Sequence, residues 1–225
     1  MDEDRVPDPL TSFISRSLRA EVTDVREEII QDTTEAELDR VHFMQDGTAR
    51  TLIVKRVPPH SSLEVKLLPH LARRSDRVPV VHARGIPPTT VQAWPWLLIE
   101  DLVAAPHAMD PEDIVRAKVA VERSVAGDGP ALIALGVPRV GARGPLADWP
   151  EVLVHGALGP ANAVRADRGV VLVEWRQASL GRGLTDVVRL ACAVAVPARV
   201  LAALYAGLAG VALTDDALAA AEDLL

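Results

Sequence analysis

Short apolar runs separated by polar turns fill the first third of the chain, and longer helical spacings follow. Residues 27–57 contain two or three strands, EEIIQDT, ELDRVHFM and RTLIVKRV. The DGT at 46–48 supplies an Asp-Gly hairpin signal between the second and third. Ahead of them, LTSFISRSLRA (10–20) reads as a short helix. Beyond Pro58 and Pro59 comes SSLEVKLLPHLARR, in which Leu63, Leu67 and Leu71 make one apolar helix face. Ser61 or Ser62 is suited to cap its start, and Pro69 predicts a kink or a restart. VPVVHARGI and VQAWPWLLIEDL are two further strand candidates. DPEDIVRAKVAVERSVA is helical, with Asp110 as cap and Pro111 at the first helical position. A Gly/Pro-rich passage then leads into residues 152–186: a strand, a tight polar loop, a second strand, and a loop closed by an aspartate. Helices end the chain, and there are no internal repeats.

Composition narrows this picture. A chain of 225 residues has room for one domain or two small lobes. With 49% hydrophobic residues it is not a disordered chain, and with 3% aromatics its core is built from Leu, Val and Ala. A formal net charge of −7 without a basic stripe argues against a nucleic-acid partner. The single cysteine, Cys192, forms no internal disulfide and reads as a small buried hydrophobe in LACAVAV, which fits a reducing cytoplasm. MDEDRVPDPL lacks the positive start and apolar core of a signal peptide. The apolar stretch 190–213 is interrupted by Pro197 and Arg199, short of the roughly 20 residues a membrane span needs. Two packed Ala/Leu-rich helices are expected there, and no membrane partner.

Several chemistries find no support. The six histidines are scattered without metal-ligand spacing. There is no G-x-S-x-G turn, and no G-x-G-x-x-G after a strand. What remains is Lys55, ending the apolar strand TLIVK, and Glu64 nine residues on at the start of a helix. Taken alone they are a solvated pair. Asn162, taken alone, is a turn residue in GPAN, and Asp186 is an N-cap for VVRLACAVA.

In context these residues form a pattern. VLVHGALGPANAVRADRGVVLVEWRQASLGRGLTD resembles the catalytic and metal-binding segments of the aminoglycoside phosphotransferase and choline kinase family, a branch of the protein-kinase-like fold. That family runs H-G-D-x-x-x-x-N, then a strand ending in D-W, then G-x-x-x-x-D. His155, Gly156, Asn162, Trp175, Gly181 and Asp186 fall in register, and WLLIEDL resembles the family's L-L-x-E-D-L. The resemblance spans roughly residues 25–190. It implies an α+β, two-lobed fold: a small β-rich lobe over 1–102 on the nucleotide side, and a helical lobe over 103–225. Glu100, Asp101 and Leu102 would open the linker. It also implies ATP and Mg2+ as cofactors. Lys55 and Glu64 would serve the phosphates, with Glu100 and Asn162 also on the nucleotide side. Asn162 and Glu174 would serve the metal, His155 would brace the loop and Asp186 would anchor it. The implied partner is a nucleotide or a small hydroxylated molecule.

The chain departs from the pattern at the chemistry itself. Ala157 stands where the family keeps its catalytic aspartate, and Glu174 where it keeps a metal-binding aspartate. Residues 29–43 contain no glycine where kinases cover the phosphates, leaving the amides near Thr33 and Thr34. The run from the linker to His155 is short for the family, which reduces the acceptor pocket. A positioned base is worth about 10²–10⁴-fold in rate. The favoured expectation is a degenerate, pseudokinase-like binding or regulatory protein. The alternative is an active ATP-dependent O-phosphotransferase of an aminoglycoside or sugar, its base supplied from elsewhere.

Overall fold

Asp46 and Gly47 make the predicted turn, both with positive φ (50° and 73°). That conformation matches a two-residue hairpin to the twist of its strands. It joins β2 (Glu37–Gln45) to β3 (Thr48–Arg56), paired in register from Glu37↔Arg56 to Gln45↔Thr48. The computed structural model describes residues 9–86, 94–102, 109–142 and 144–224. In it β1 (Thr23–Asp32) flanks β2, β5 (Trp96–Glu100) flanks β3, and β4 (Val81–Gly85) pairs with β5. All pairings are antiparallel, in the order β1-β2-β3-β5-β4. Alternate residues Val41, Phe43, Leu52 and Val54, with Leu98, pack on Ile14 of α1 (Pro9–Leu18).

After a 3-10 turn at Pro59–Ser61, α2 (Leu63–Ala72) runs through Pro69 without a break, where a kink or restart was expected. Proline has no N–H for the carbonyl four residues back. That carbonyl belongs to Val65, and the Arg84 guanidinium donates to it at 3.3 Å. A side chain from β4 replaces the bond that Pro69 removes. Leu67 and Leu71 of the predicted face are fully buried, and Leu63 is half-buried.

Contacts divide the chain into two compact units: residues up to Val65 with Val80–Asp101, and Lys66–Pro79 with Leu102 onward. Residues 66–79, which the sequence placed with the first lobe, group with the second. The reason is local bonding. The Asp128 carboxylate accepts from His70 Nε2 at 2.9 Å and from Arg74 Nε at 2.6 Å, and the Arg77 carbonyl accepts from Leu172 N at 2.8 Å.

In the second unit α3 (Pro111–Ser124) starts as predicted. Asp110 accepts from Glu112 N at 2.9 Å, and Pro111 takes the first helical position. A short α4 (Gly129–Ala134) follows. Residues 152–186 hold more structure than the sequence suggested. β6 (Glu151–Val154) pairs with β9 (Ser179–Arg182), and β7 (Ala163–Ala166) with β8 (Gly169–Leu172). Then come α5 (Leu184–Ala193), α6 (Ala198–Ala209) and α7 (Asp215–Glu222). The stretch 190–213 is two helices, with Pro197 at the N-cap of α6. Among the described residues no helix is long and apolar enough to cross a membrane. Cys192 corrects an expectation: it is exposed, because α5 turns Leu190 and Ala191 inward and leaves Cys192 outside. The linker residues beyond Leu102, and the first residues of VQAWPWLLIEDL, lie outside the described residues.

Candidate functional site

In the first unit, β3 carries Lys55 on the face opposite Val54, and the first turn of α2 carries Glu64. Their side chains meet at 2.7 Å with 4% and 2% exposure. An ion pair this dry holds only while both partners are present. Glu100, at the end of β5, accepts from Val80 N at 3.0 Å through its carboxylate, so it ties the chain before β4 to β5. Asp101 is bound by Arg40 of β2, Nε to Oδ2 at 2.7 Å. The turn between β1 and β2 closes on itself. Thr33 N donates to the Ala36 carbonyl at 3.1 Å, and the amides of Glu35 and Ala36 donate to Thr33 Oγ1 at 3.3 and 3.2 Å. The amides of Thr33, Glu35 and Ala36 are thereby engaged within the turn.

In the second unit the loop after β6 is held from several sides. Gly156 has φ 84°, and a Cβ there would overlap the Gln177 carbonyl, so only glycine fits. Asp186 is not the N-cap of α5, since Gly183 holds that position. It sits in the first turn, fully buried, and accepts from His155 N at 2.6 Å and Gly156 N at 2.9 Å. The His155 ring donates from Nε2 to the Val173 carbonyl at 2.7 Å, and its Nδ1 accepts from Ala157 N at 3.3 Å. It lies against Trp175 with ring centroids 4.6 Å apart. With both nitrogens occupied in this way, His155 is a brace and not a base. The Arg189 guanidinium donates to the Gly156 carbonyl.

Asn162 Nδ2 donates to the Ala157 carbonyl at 2.8 Å, which leaves Oδ1 as an acceptor. Its own carbonyl accepts from Val173 N at 3.0 Å, which ties Asn162 to the residue before Glu174. Glu174 is left-handed, φ 66° and ψ 56°, a conformation costing a non-glycine residue roughly 1–2 kcal/mol. Its carboxylate lies 3.7 Å from Arg176 Nε and is 29% exposed. Among the described residues no group of three His, Cys, Asp or Glu side chains is placed to hold a metal. Magnesium retains waters and phosphate oxygens and takes only one or two carboxylates. The Asn162 amide oxygen and the Glu174 carboxylate are oxygen donors of the kind magnesium takes.

Sequence reasoning missed a buried polar cluster. Lys118 and Glu122 of α3 form an ion pair with 2% and 6% exposure. Lys118 Nζ is also 3.7 Å from Asp186 Oδ2 and 4.9 Å from the centre of the Tyr205 ring. The Tyr205 hydroxyl donates to both Glu122 oxygens at 3.2 Å. Burial opposes the Lys118 charge, but Glu122, Tyr205 and Asp186 outweigh it and hold the ammonium above the ordinary lysine range. Burial pushes the Glu122 carboxyl up, with Asp186 adding to it and Lys118 opposing. A Cβ on Gly183 would overlap Tyr205, Glu122 and Lys118. The available signal was a helix face with Ile114, Lys118, Val121 and Val125, which sets a charged residue in a core position.

No family model and no curated protein matches the sequence. Solved structures match its fold. The macrolide 2'-phosphotransferase MphH of Brachybacterium faecium has 17% identity over 96% of this chain and 87% of its own, with a TM-score of 0.62. The amicoumacin kinase hAmiN, in complex with AMP-PNP, Ca2+ and Ami, has 10% identity over 96% and 82%, with a TM-score of 0.61. A thermostable aminoglycoside phosphotransferase APH(4)-Ia with one aspartate changed to alanine, in ternary complex with ADP and hygromycin B, has 13% identity over 96% and 88%, with a TM-score of 0.54. The chain has the α+β kinase-like fold of the aminoglycoside phosphotransferases.

Proposed function

We propose that this protein is a degenerate aminoglycoside phosphotransferase-like kinase. It binds a nucleotide or a small hydroxylated molecule and transfers little or no phosphate. One observation carries the reading. The catalytic-type loop is anchored at His155, Gly156 and Asn162, yet a methyl group stands at Ala157. Phosphoryl transfer in this fold needs a carboxylate there to accept the acceptor's proton and to orient its oxygen. Alanine does neither. The self-closed turn at Thr33–Ala36 supports the same reading, because it withholds amides from phosphate.

Binding does not need that carboxylate. The first unit offers the Lys55 ammonium, held by Glu64, to phosphate oxygens. The second offers Asn162 and Glu174 to a magnesium ion. A phosphate group would supply the charge that Lys55 complements, and a magnesium ion the charge that Asn162 and Glu174 complement. The APH(4)-Ia form with an aspartate changed to alanine was crystallised with both ADP and hygromycin B, so loss of one carboxylate is compatible with ligand binding in this fold. One exposed free cysteine suits a reducing cytoplasm. The second reading, an active O-phosphotransferase, is favoured by the intact Lys55–Glu64 pair, and takes its base from substrate or water.

Thermal denaturation with added ATP tests binding. A ligand at 100 times its Kd stabilises by about 2.7 kcal/mol. The natural chain is expected to show saturable stabilisation by ATP that increases with Mg2+, and Glu174→Gln is expected to lose the Mg2+ increment. No stabilisation by millimolar ATP, with or without Mg2+, would overturn the reading.

A further inference from the structure

A cavity of about 280 Å³ opens at the surface of the second unit, among α3, α6, the β6–β9 ladder and the chain before α4. It is separate in lining from every residue assigned above to nucleotide or metal. Val119, Leu132, Leu153 and Leu180 give it apolar walls. Its volume is about twice the roughly 150 Å³ of an engineered cavity that takes up benzene. A dry apolar hollow of that size would be unremarkable except for its polar lining. Glu122 and Tyr205, both buried, contribute to the wall.

Those two groups define what the cavity accepts. The Tyr205 hydroxyl hydrogen is directed at the Glu122 carboxylate, so the phenol oxygen and the carboxylate present acceptors only. A bound molecule must supply the donor. Charge decides which donor. Within the buried cluster Lys118 is set against the two carboxylates of Glu122 and Asp186, while the exposed rim of the cavity carries one charge of each sign, Arg123 and Glu151. Asp186 is further satisfied by two backbone amides, whereas the Glu122 carboxylate accepts from the Lys118 and Tyr205 side chains. The cluster carries one excess negative charge, and Glu122 is its member facing the cavity.

We propose that this cavity is a binding site for a small amphiphilic amine: an apolar body of about ten heavy atoms, with a protonated amine hydrogen-bonded to Glu122 and Tyr205. Lys118 then links the site to the loop. Its ammonium touches Glu122 on one side and Asp186 on the other, and Asp186 holds the amides of His155 and Gly156. Neutralising Glu122 from the cavity strengthens the Lys118–Asp186 contact by default, so occupancy registers at the loop.

2-Phenylethylamine is the probe, and 2-phenylethanol is its neutral counterpart of the same shape. Both are titrated into the full natural chain by calorimetry and by amide NMR. Charge assistance makes the amine at least tenfold tighter, or about 1.4 kcal/mol. Ala209→Phe, at the cavity wall, abolishes binding. Ala126→Trp, at an exposed part of the rim, does the same if Ala209→Phe fails to fold. The amine shifts the His155 and Gly156 amide resonances together with those of Val119 and Tyr205. No saturable binding at millimolar amine, equal affinity for the alcohol, or binding undiminished by the plugging variant would overturn the site. Shifts confined to the cavity lining would overturn its link to the loop.

Discussion

Lys55 and Glu64 show how much a single pair rests on its partner. Both are buried and 2.7 Å apart, so removing one strands the other's charge. Lys55→Ala is expected to lower stability in urea unfolding by about 3–5 kcal/mol, and the double change Lys55→Met with Glu64→Leu should recover most of it. A Lys55→Ala loss below 1 kcal/mol would show the pair to be solvated. Gly183 is a second such position. Its φ of −62° suits any residue, so the constraint is purely the space taken by Tyr205, Glu122 and Lys118. Gly183→Ala should cost about 1–3 kcal/mol through overpacking, read from the shift of the urea midpoint. The pair was legible in the sequence because a strand lysine, a helix glutamate and WLLIEDL come in one order. The Lys118 cluster was not, because nothing local distinguishes an inward lysine from a surface one. Cys192 misled for the opposite reason. An apolar neighbourhood in sequence says nothing about which side of α5 a residue takes.

At the scale of elements, turn chemistry was the most legible signal. Asp46-Gly47 set the β2–β3 hairpin and its register, and Asp110-Pro111 set the start of α3. The short β7–β8 ladder within 152–186 was not legible, since four-residue strands carry too little alternation to separate from a loop. Pro69 shows the limit most sharply. Its penalty is local, but its remedy, Arg84, is 15 positions away on β4. A double-mutant cycle checks this. Arg84→Met should destabilise the natural chain by about 1 kcal/mol, the net worth of one hydrogen bond. In a Pro69→Ala background the restored N–H bonds Val65, and the Arg84→Met cost should be smaller by about that amount. Equal costs in the two backgrounds would contradict the role given to Arg84.

For the whole molecule, a β-rich first unit and a helix-rich second were legible from the order of strands and helices, and the solved kinase-like structures share that fold. The grouping of residues 66–79 with the second unit was not, because it depends on His70 and Arg74 reaching Asp128 more than 50 residues onward. The functional account rests on one methyl group, in a loop otherwise held by Asp186, His155 and Asn162. Ala157→Asp restores a carboxylate without disturbing those bonds, two of which use only the Ala157 backbone. The most direct test is a coupled ADP-release assay, run on the natural chain and on Ala157→Asp with ATP, Mg2+ and a panel of hydroxylated small molecules. The account predicts no turnover above background from the natural chain, and activity from Ala157→Asp higher by at least the roughly 10²-fold that a positioned base contributes. Turnover by the natural chain that the restored aspartate leaves unchanged would contradict it.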